Sequence, residues 1–289
     1  MAPPVKAARF SRSASSVAAT RRSVSSPASG SPIRQPNRWG SAPVALLGAV
    51  SFCGFLLASA VLGVRLLLLA RRTGELPELA IAVAFLAAGV VGYGLMVICM
   101  VLHAVPEDVA RPLRFVYVLG LDAGGLAVAW FVRRVFRNGT SWAGWLFAVI
   151  AAVFAAGFVG TTLSPPSPAG EAPKAFAFWP NTIGSVACYA WASFEAGRYY
   201  TLMRRRVRLG LADPIVTHRL LLWSVAAGTT VTTSLLFVAA RFLEGGRPRP
   251  DMLVATYLLL IVGAGANWLV FFPPSAYTRR LRRTAEALS

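Results

Sequence analysis

Lysine is almost missing from this 289-residue chain: Lys6 and Lys174 are the only two. The last long apolar run, at 252–272, holds none, so a retinal Schiff base has no anchor there. Histidine occurs twice and cysteine three times. His103 and His218 fall at opposite membrane faces, while Cys53, Cys99 and Cys188 lie in apolar runs at unrelated spacings. That distribution excludes a paired haem site, a zinc centre and a disulfide framework, and leaves the cysteines as small buried hydrophobes. Acids are scarce, 11 Asp and Glu against 29 Lys and Arg. Asp122 is the one acid in the middle of an apolar run, so an intramembrane aspartyl dyad is excluded as well. No nucleophile–histidine arrangement and no phosphate-cradling glycine loop is present, and neither metal nor cofactor is expected.

What the chain does contain is hydrocarbon. It is 56% hydrophobic and 14% charged, with a mean hydropathy of +0.60. Its charges cluster between long apolar stretches, which is a membrane-spanning pattern. A helix needs about 20 apolar residues to cross the hydrocarbon core. Such stretches occur at 43–70, 79–103, 112–132, 142–163, 176–197, 219–241 and 252–272. The expected fold is all-α, a polytopic transmembrane helical bundle of about seven spans over residues 41–273. Residues 274–289 read as a short basic amphipathic tail. Tyr277, Leu281, Ala285 and Leu288 share one face of it, while Arg279, Arg280, Arg282 and Arg283 lie largely around the other.

A net charge of +18 and a pI near 11.4 would suggest nucleic acid in a soluble protein. Here the arginines flank the apolar runs, where topology and anionic lipid head groups require them, so the bilayer is the expected partner and nucleic acid is not. Arg204, Arg205, Arg206 and Arg208 are the densest lipid-facing group, with the C-terminal arginines as the second. A protein partner would bind through the connection 198–219 or the C-tail. The dominance of Arg over Lys and the abundance of Ala point to a GC-rich bacterial genome.

Residues 1–40 are serine-rich and basic (Lys6, Arg9, Arg12, Arg21, Arg22, Arg34, Arg38) without a single acid, and read as a disordered tail. No apolar run precedes Val44, so a secretory signal is not expected; an organellar transit peptide or a misassigned start codon would also account for the tail. The first, third and fifth connections and the C-tail carry most of the remaining arginines. By the positive-inside rule this places the N-terminus outside and the C-terminus in the cytoplasm of a bacterial plasma membrane.

Asp122 interrupts the uncharged run from Phe115 to Phe131 near its centre. A carboxylate at that depth costs about 2.5 to 3.5 kcal/mol on insertion scales and marks a functional site by default. If the acid is dry and unpaired, it is held neutral and becomes a hydrogen-bond donor or a proton carrier. Small and polar residues recur at helical spacing in neighbouring runs. With a rise of about 1.5 Å per residue, Tyr93, Ser185 and Thr229 or Thr230 come to a similar depth. Together with Asn181 and Asn267 they form the expected ligand-binding set around Asp122. The same residues could instead serve as interhelical hydrogen bonds and close-packing points. Glu195, near the inner end of its run, is expected to form a structural ion pair with Arg198 or Arg65.

The helix count, together with the layout from Arg111 through Phe136 into a basic inner loop, resembles the seven-helix sensory regions of bacterial membrane sensors. The resemblance implies a non-enzymatic bundle that senses a ligand or regulates a partner. No soluble output domain is read after the last span. A small proton-coupled secondary transporter is the alternative reading, and a membrane-embedded enzyme the third.

Overall fold

The computed structural model describes residues 42–101, 107–163, 175–243 and 249–286. The basic tail 1–40, His103, the proline-rich connection at 164–168 and Lys174 lie outside the described residues. The elements are α1 (Ala42–Thr73), α2 (Leu76–Val83), a π-helical segment π1 (Ala84–Gly92), α3 (Tyr93–Val101), α4 (Glu107–Phe136), α5 (Ser141–Leu163), α6 (Ala175–Arg208), α7 (Pro214–Leu243), α8 (Pro250–Phe271) and α9 (Ser275–Glu286). No strand occurs among the described residues.

Among the described residues six helical segments are long and apolar enough to cross a bilayer: Ala42–Thr73, Leu76–Cys99, Val109–Phe136, Ser141–Leu163, Pro214–Ala240 and Pro250–Phe271. The chain is an integral membrane protein on this basis, with six such segments rather than the seven read from sequence. The difference is α6. Over its 34 residues it carries Asn181, Glu195 and Arg198 among Trp179, Tyr189, Trp191, Tyr199 and Tyr200, so aromatic rings with polar tips replace the aliphatic side chains of the other spans. Outward-facing residues elsewhere are apolar and large, Leu57 (67% exposed) and Trp145 (74% exposed) among them. A surface of that kind suits hydrocarbon.

The helices close into a ring. α1 packs on α2 and π1, π1 on α4, α4 on α5 and α6, α6 on α7, α7 on α8, and α8 returns to α1. Toward the end where α1 runs into α2, the ring is filled by aromatic side chains: Phe131 meets Trp223 at 4.7 Å and Phe85 meets Phe271 at 6.1 Å between centroids. Leu66 and Ile81 are buried in the same cluster.

Two turns are dictated by single residues. Gly139, at φ +81°, folds α4 back toward α5, a backbone angle that a side chain would strain. Between α6 and α7 the chain turns at Gly210, and Asp213 Oδ1 accepts the Ile215 N–H at 2.8 Å with Pro214 opening α7.

The π segment explains how α4 is positioned. Its sequence, Ala84-Phe-Leu-Ala-Ala-Gly-Val-Val-Gly92, puts Ala88, Gly89 and Gly92 at buried positions. A Cβ on Gly120 of α4 would lie 2.7 Å from the Ala87 carbonyl oxygen and 3.0 Å from the Gly92 nitrogen, and one on Gly124 would run into Ala88. From the other side, a Cβ on Gly89 would meet the Ser59 Cβ of α1 at 2.6 Å. Three backbones thus approach as closely as hydrogen atoms permit, the packing by which membrane helices associate without a hydrophobic force between them.

Candidate functional site

On α4, Val118, Asp122, Gly125, Ala129 and Val132 recur at spacings of three and four and form one face. Ala129 and Val132 belong to the buried core with Ile150 and Phe154 of α5 and Cys188, Trp191 and Ala192 of α6. At Gly125 there is room for nothing larger than hydrogen, since a Cβ would lie 2.7 Å from the Phe154 ring and 3.6 Å from Cys188 Sγ. Asp122, one turn away, is 6% exposed. Its Oδ2 is buried without a hydrogen-bond partner. The acid therefore stands on the seam where α4 meets α5 and α6, clamped from behind by π1.

The other six residues of the sequence-derived set lie on α3, α6, α7 and α8. No hydrogen bond joins Asp122 to any of them. Thr229 and Thr230 stand on α7 and turn their hydroxyls onto their own helix, donating to the Ala226 carbonyl at 2.8 and 3.4 Å. Thr229 also fills the space over Gly263 of α8. Asn267, on α8, is half-buried nearer the Phe85–Phe271 layer. Asn181 lies toward the opposite end, packed on Gly157 and donating from Nδ2 to Thr161 Oγ1 at 3.2 Å. Ser185 is half-buried on α6, one turn before Cys188. Tyr93 stacks edge-on against Phe55 at 5.5 Å and stays within electrostatic range of Cys188 and Tyr189. α4 packs on α3, which carries Tyr93, and on α6, which carries Asn181 and Ser185, while Thr229, Thr230 and Asn267 stand on α7 and α8.

A second polar centre lies at the end of α4. Glu195 is fully buried, and its Oε1 accepts from Arg137 Nε at 2.7 Å. The predicted pairing with Arg198 or Arg65 is thereby corrected. Arg198 is exposed, and Arg65 is engaged elsewhere, donating to the Phe271 carbonyl at 3.4 Å and lying 4.1 Å over the Phe272 ring. Arg137 reaches Glu195 from the end of α4, its N–H still bonded to the Arg133 carbonyl at 3.2 Å, where α4 packs on α6. The Arg137 guanidinium covers Trp142 at 5.1 Å, and Trp142 approaches Trp191 at 6.1 Å. Tyr199 donates to the Phe136 carbonyl at 3.1 Å, and Thr140 Oγ1 to the Arg137 carbonyl at 2.8 Å. Glu195 Oε2 and Trp191 Nε1 remain buried without partners. Arg137 is one of the arginines of the third connection, and nothing in its sequence neighbourhood marks it as the partner of an acid 58 residues on.

Among the described residues no three His, Cys, Asp or Glu side chains come together as a metal site. No family model, curated protein or solved structure matches the chain, so its site is read from its own geometry.

Proposed function

We propose that this chain is a seven-span membrane protein that senses a ligand or regulates a partner without covalent chemistry, with Asp122 as the responsive group. One observation carries the reading. Asp122 is buried with its Oδ2 lacking a hydrogen-bond partner, on the face of α4 that carries Ala129 and Val132 into the core shared with α5 and α6, where an amide or hydroxyl would serve packing equally well. Such a group is cheaper to bury neutral than charged, so gaining or losing a proton, or meeting a ligand, changes how well α4, α5 and α6 fit together.

The seventh span in this reading is α6. At 34 residues and about 1.5 Å per residue it exceeds the hydrocarbon thickness. Several of its polar groups meet partners on neighbouring helices: Arg137 answers Glu195 Oε1, and Ser193 and Ser224 donate reciprocally to each other's carbonyls at 2.9 and 2.8 Å. With seven spans the arginine asymmetry puts α9 and the α6–α7 turn in the cytoplasm of a bacterial plasma membrane. Arg204, Arg205, Arg206, Arg208, Arg279, Arg280, Arg282 and Arg283 then face anionic head groups or a protein partner. α9 is docked rather than free, since Tyr277 Oη and His218 Nδ1 share a 2.7 Å hydrogen bond, and burial raises the Tyr277 phenol above its ordinary range and keeps it neutral. In a cysteine-free background, Ala285→Cys is expected to resist an impermeant maleimide in intact cells and Ser167→Cys to label. Labelling at Ala285 alone would reverse the orientation.

A second reading, a proton-coupled secondary transporter, is favoured by π1. This segment departs from α-helical geometry midway along its span, beside the helix that carries Asp122, and interrupted helices near the midplane are a transporter feature. One pair of measurements separates the two. With an environment-sensitive fluorophore on Thr201→Cys in liposomes, sensing predicts that a pH step changes emission in the parent and not in Asp122→Asn, with no proton flux in either. Transport predicts a flux that Asp122→Asn abolishes while thermal stability is unchanged. Identical behaviour of parent and variant in both assays removes Asp122 from any functional account.

A further inference from the structure

The turn that follows Arg137 borders a cavity of about 440 Å³ between the end of α4, the start of α5 and the start of α2. Arg133, Arg134, Asn138, Thr140 and Ser141 supply its polar wall, and Leu76 and Trp130 its apolar wall. Both arginines are exposed and neither meets a carboxylate. Arg134 donates from Nη1 to Asn138 Oδ1 at 3.3 Å, which points its fork along the cavity edge, and Arg133 lies 5.9 Å over the Phe147 ring. No acid lines the cavity. The nearest in sequence, Glu75 and Glu78, flank Leu76, and Glu78 Oε2 is occupied by the Thr73 hydroxyl at 2.7 Å. The α5 helix starts here with no acid in its first turn, so its free N–H groups and the positive end of its dipole add to the guanidinium charge.

We propose that this cavity binds a phosphate group, the two arginines gripping its oxygens and Thr140, Ser141 and the α5 start supplying further donors. Guanidinium forks match phosphate geometry, and a helix start without an acid is a ready anion site once fixed cations stand beside it. The site is preorganised, because the Arg137–Glu195 pair and the Tyr199–Phe136 hydrogen bond hold the turn from beneath. It lies where a spanning helix ends, with tryptophan and leucine on the side facing hydrocarbon. That placement suits the phosphate of a membrane lipid, with a soluble phosphate compound as the other source of the same chemistry. The proposal does not depend on the role of Asp122.

The test uses the full chain in neutral-detergent micelles, with thermal unfolding followed against added dioctanoyl phosphatidic acid, dioctanoyl phosphatidylcholine or inorganic phosphate. Saturable stabilisation by phosphatidic acid alone assigns a lipid, and stabilisation by inorganic phosphate as well assigns a soluble ligand; either supports the site. Arg133→Gln with Arg134→Gln is expected to weaken the apparent affinity roughly thirtyfold. Arg111→Gln with Arg249→Gln, exposed and outside the cavity lining, serves as the control for diffuse surface charge and is expected to change it less than about threefold. Ser141→Asp is the second variant. An acid at the helix start supports the fold yet repels phosphate, so it is expected to leave the unliganded melting temperature intact and abolish the shift. Equal losses in the two double variants, an undiminished shift in Ser141→Asp, or no saturable shift with either phosphate probe would overturn the proposal.

Discussion

Arg137→Ala is expected to destabilise the folded protein by about 3 kcal/mol, because it strands a buried carboxylate whose one hydrogen-bonded oxygen loses its cation. Glu195 has 1% of its side chain exposed and Arg137 19%, so water cannot replace the lost partner without opening the contact between α4 and α6. Arg137→Met combined with Glu195→Leu should recover most of the loss, since two apolar side chains of similar size incur no desolvation cost. Arg198→Ala should change stability by less than about 0.5 kcal/mol, as expected for a surface position away from any buried network. Unfolding of the purified chain in micelles reads all of these. A loss for Arg198→Ala as large as that for Arg137→Ala would mean that Glu195 is paired differently.

The second large effect is expected where α4 crosses π1. Gly120→Ala and Gly124→Ala each place a methyl group against backbone atoms of π1, the Ala87 oxygen at 2.7 Å and the Ala88 nitrogen at 2.8 Å. A backbone cannot swing aside as the tip of a side chain can. Overpacking of this kind costs about 1 to 3 kcal/mol per site, and the pair together should lower the melting temperature far more than either of two controls. Gly54→Ala and Gly265→Ala meet nothing within 4 Å and should be neutral, or stabilising by up to about 1 kcal/mol through better helix propensity. Four variants of equal stability would show that α4 and π1 do not pack as described.

Helix positions were legible in the sequence because a bilayer demands long apolar runs, and the runs beginning at 43, 112, 142 and 252 each fall on one helix. The 176–197 run also falls on a helix, but aromatic and ionisable residues leave α6 less apolar than the spans around it. The change from α to π geometry at Ala84 was not legible. An apolar sequence does not report whether its N–H groups bond four or five residues back, and the small residues of π1 matter only because Gly120 and Gly124 stand opposite. The depth of Asp122 could be read by counting residues, and it is buried; its direction could not, because direction is fixed by which helices flank α4. The set of Tyr93, Asn181, Ser185, Thr229, Thr230 and Asn267 is contributed by four helices, α3, α6, α7 and α8, and counting residues gives no direction for any of them. The partner of Glu195 escaped because proximity along the chain favours Arg198, whereas the pair is made by a residue 58 positions upstream.

That separation bears on biogenesis. In the seven-span arrangement α6 takes a glutamate into the bilayer, and the counter-ion, Arg137, is carried by a part of the chain synthesised 58 residues earlier. The ion pair is therefore one that can close only once α6 has followed α4 into the membrane.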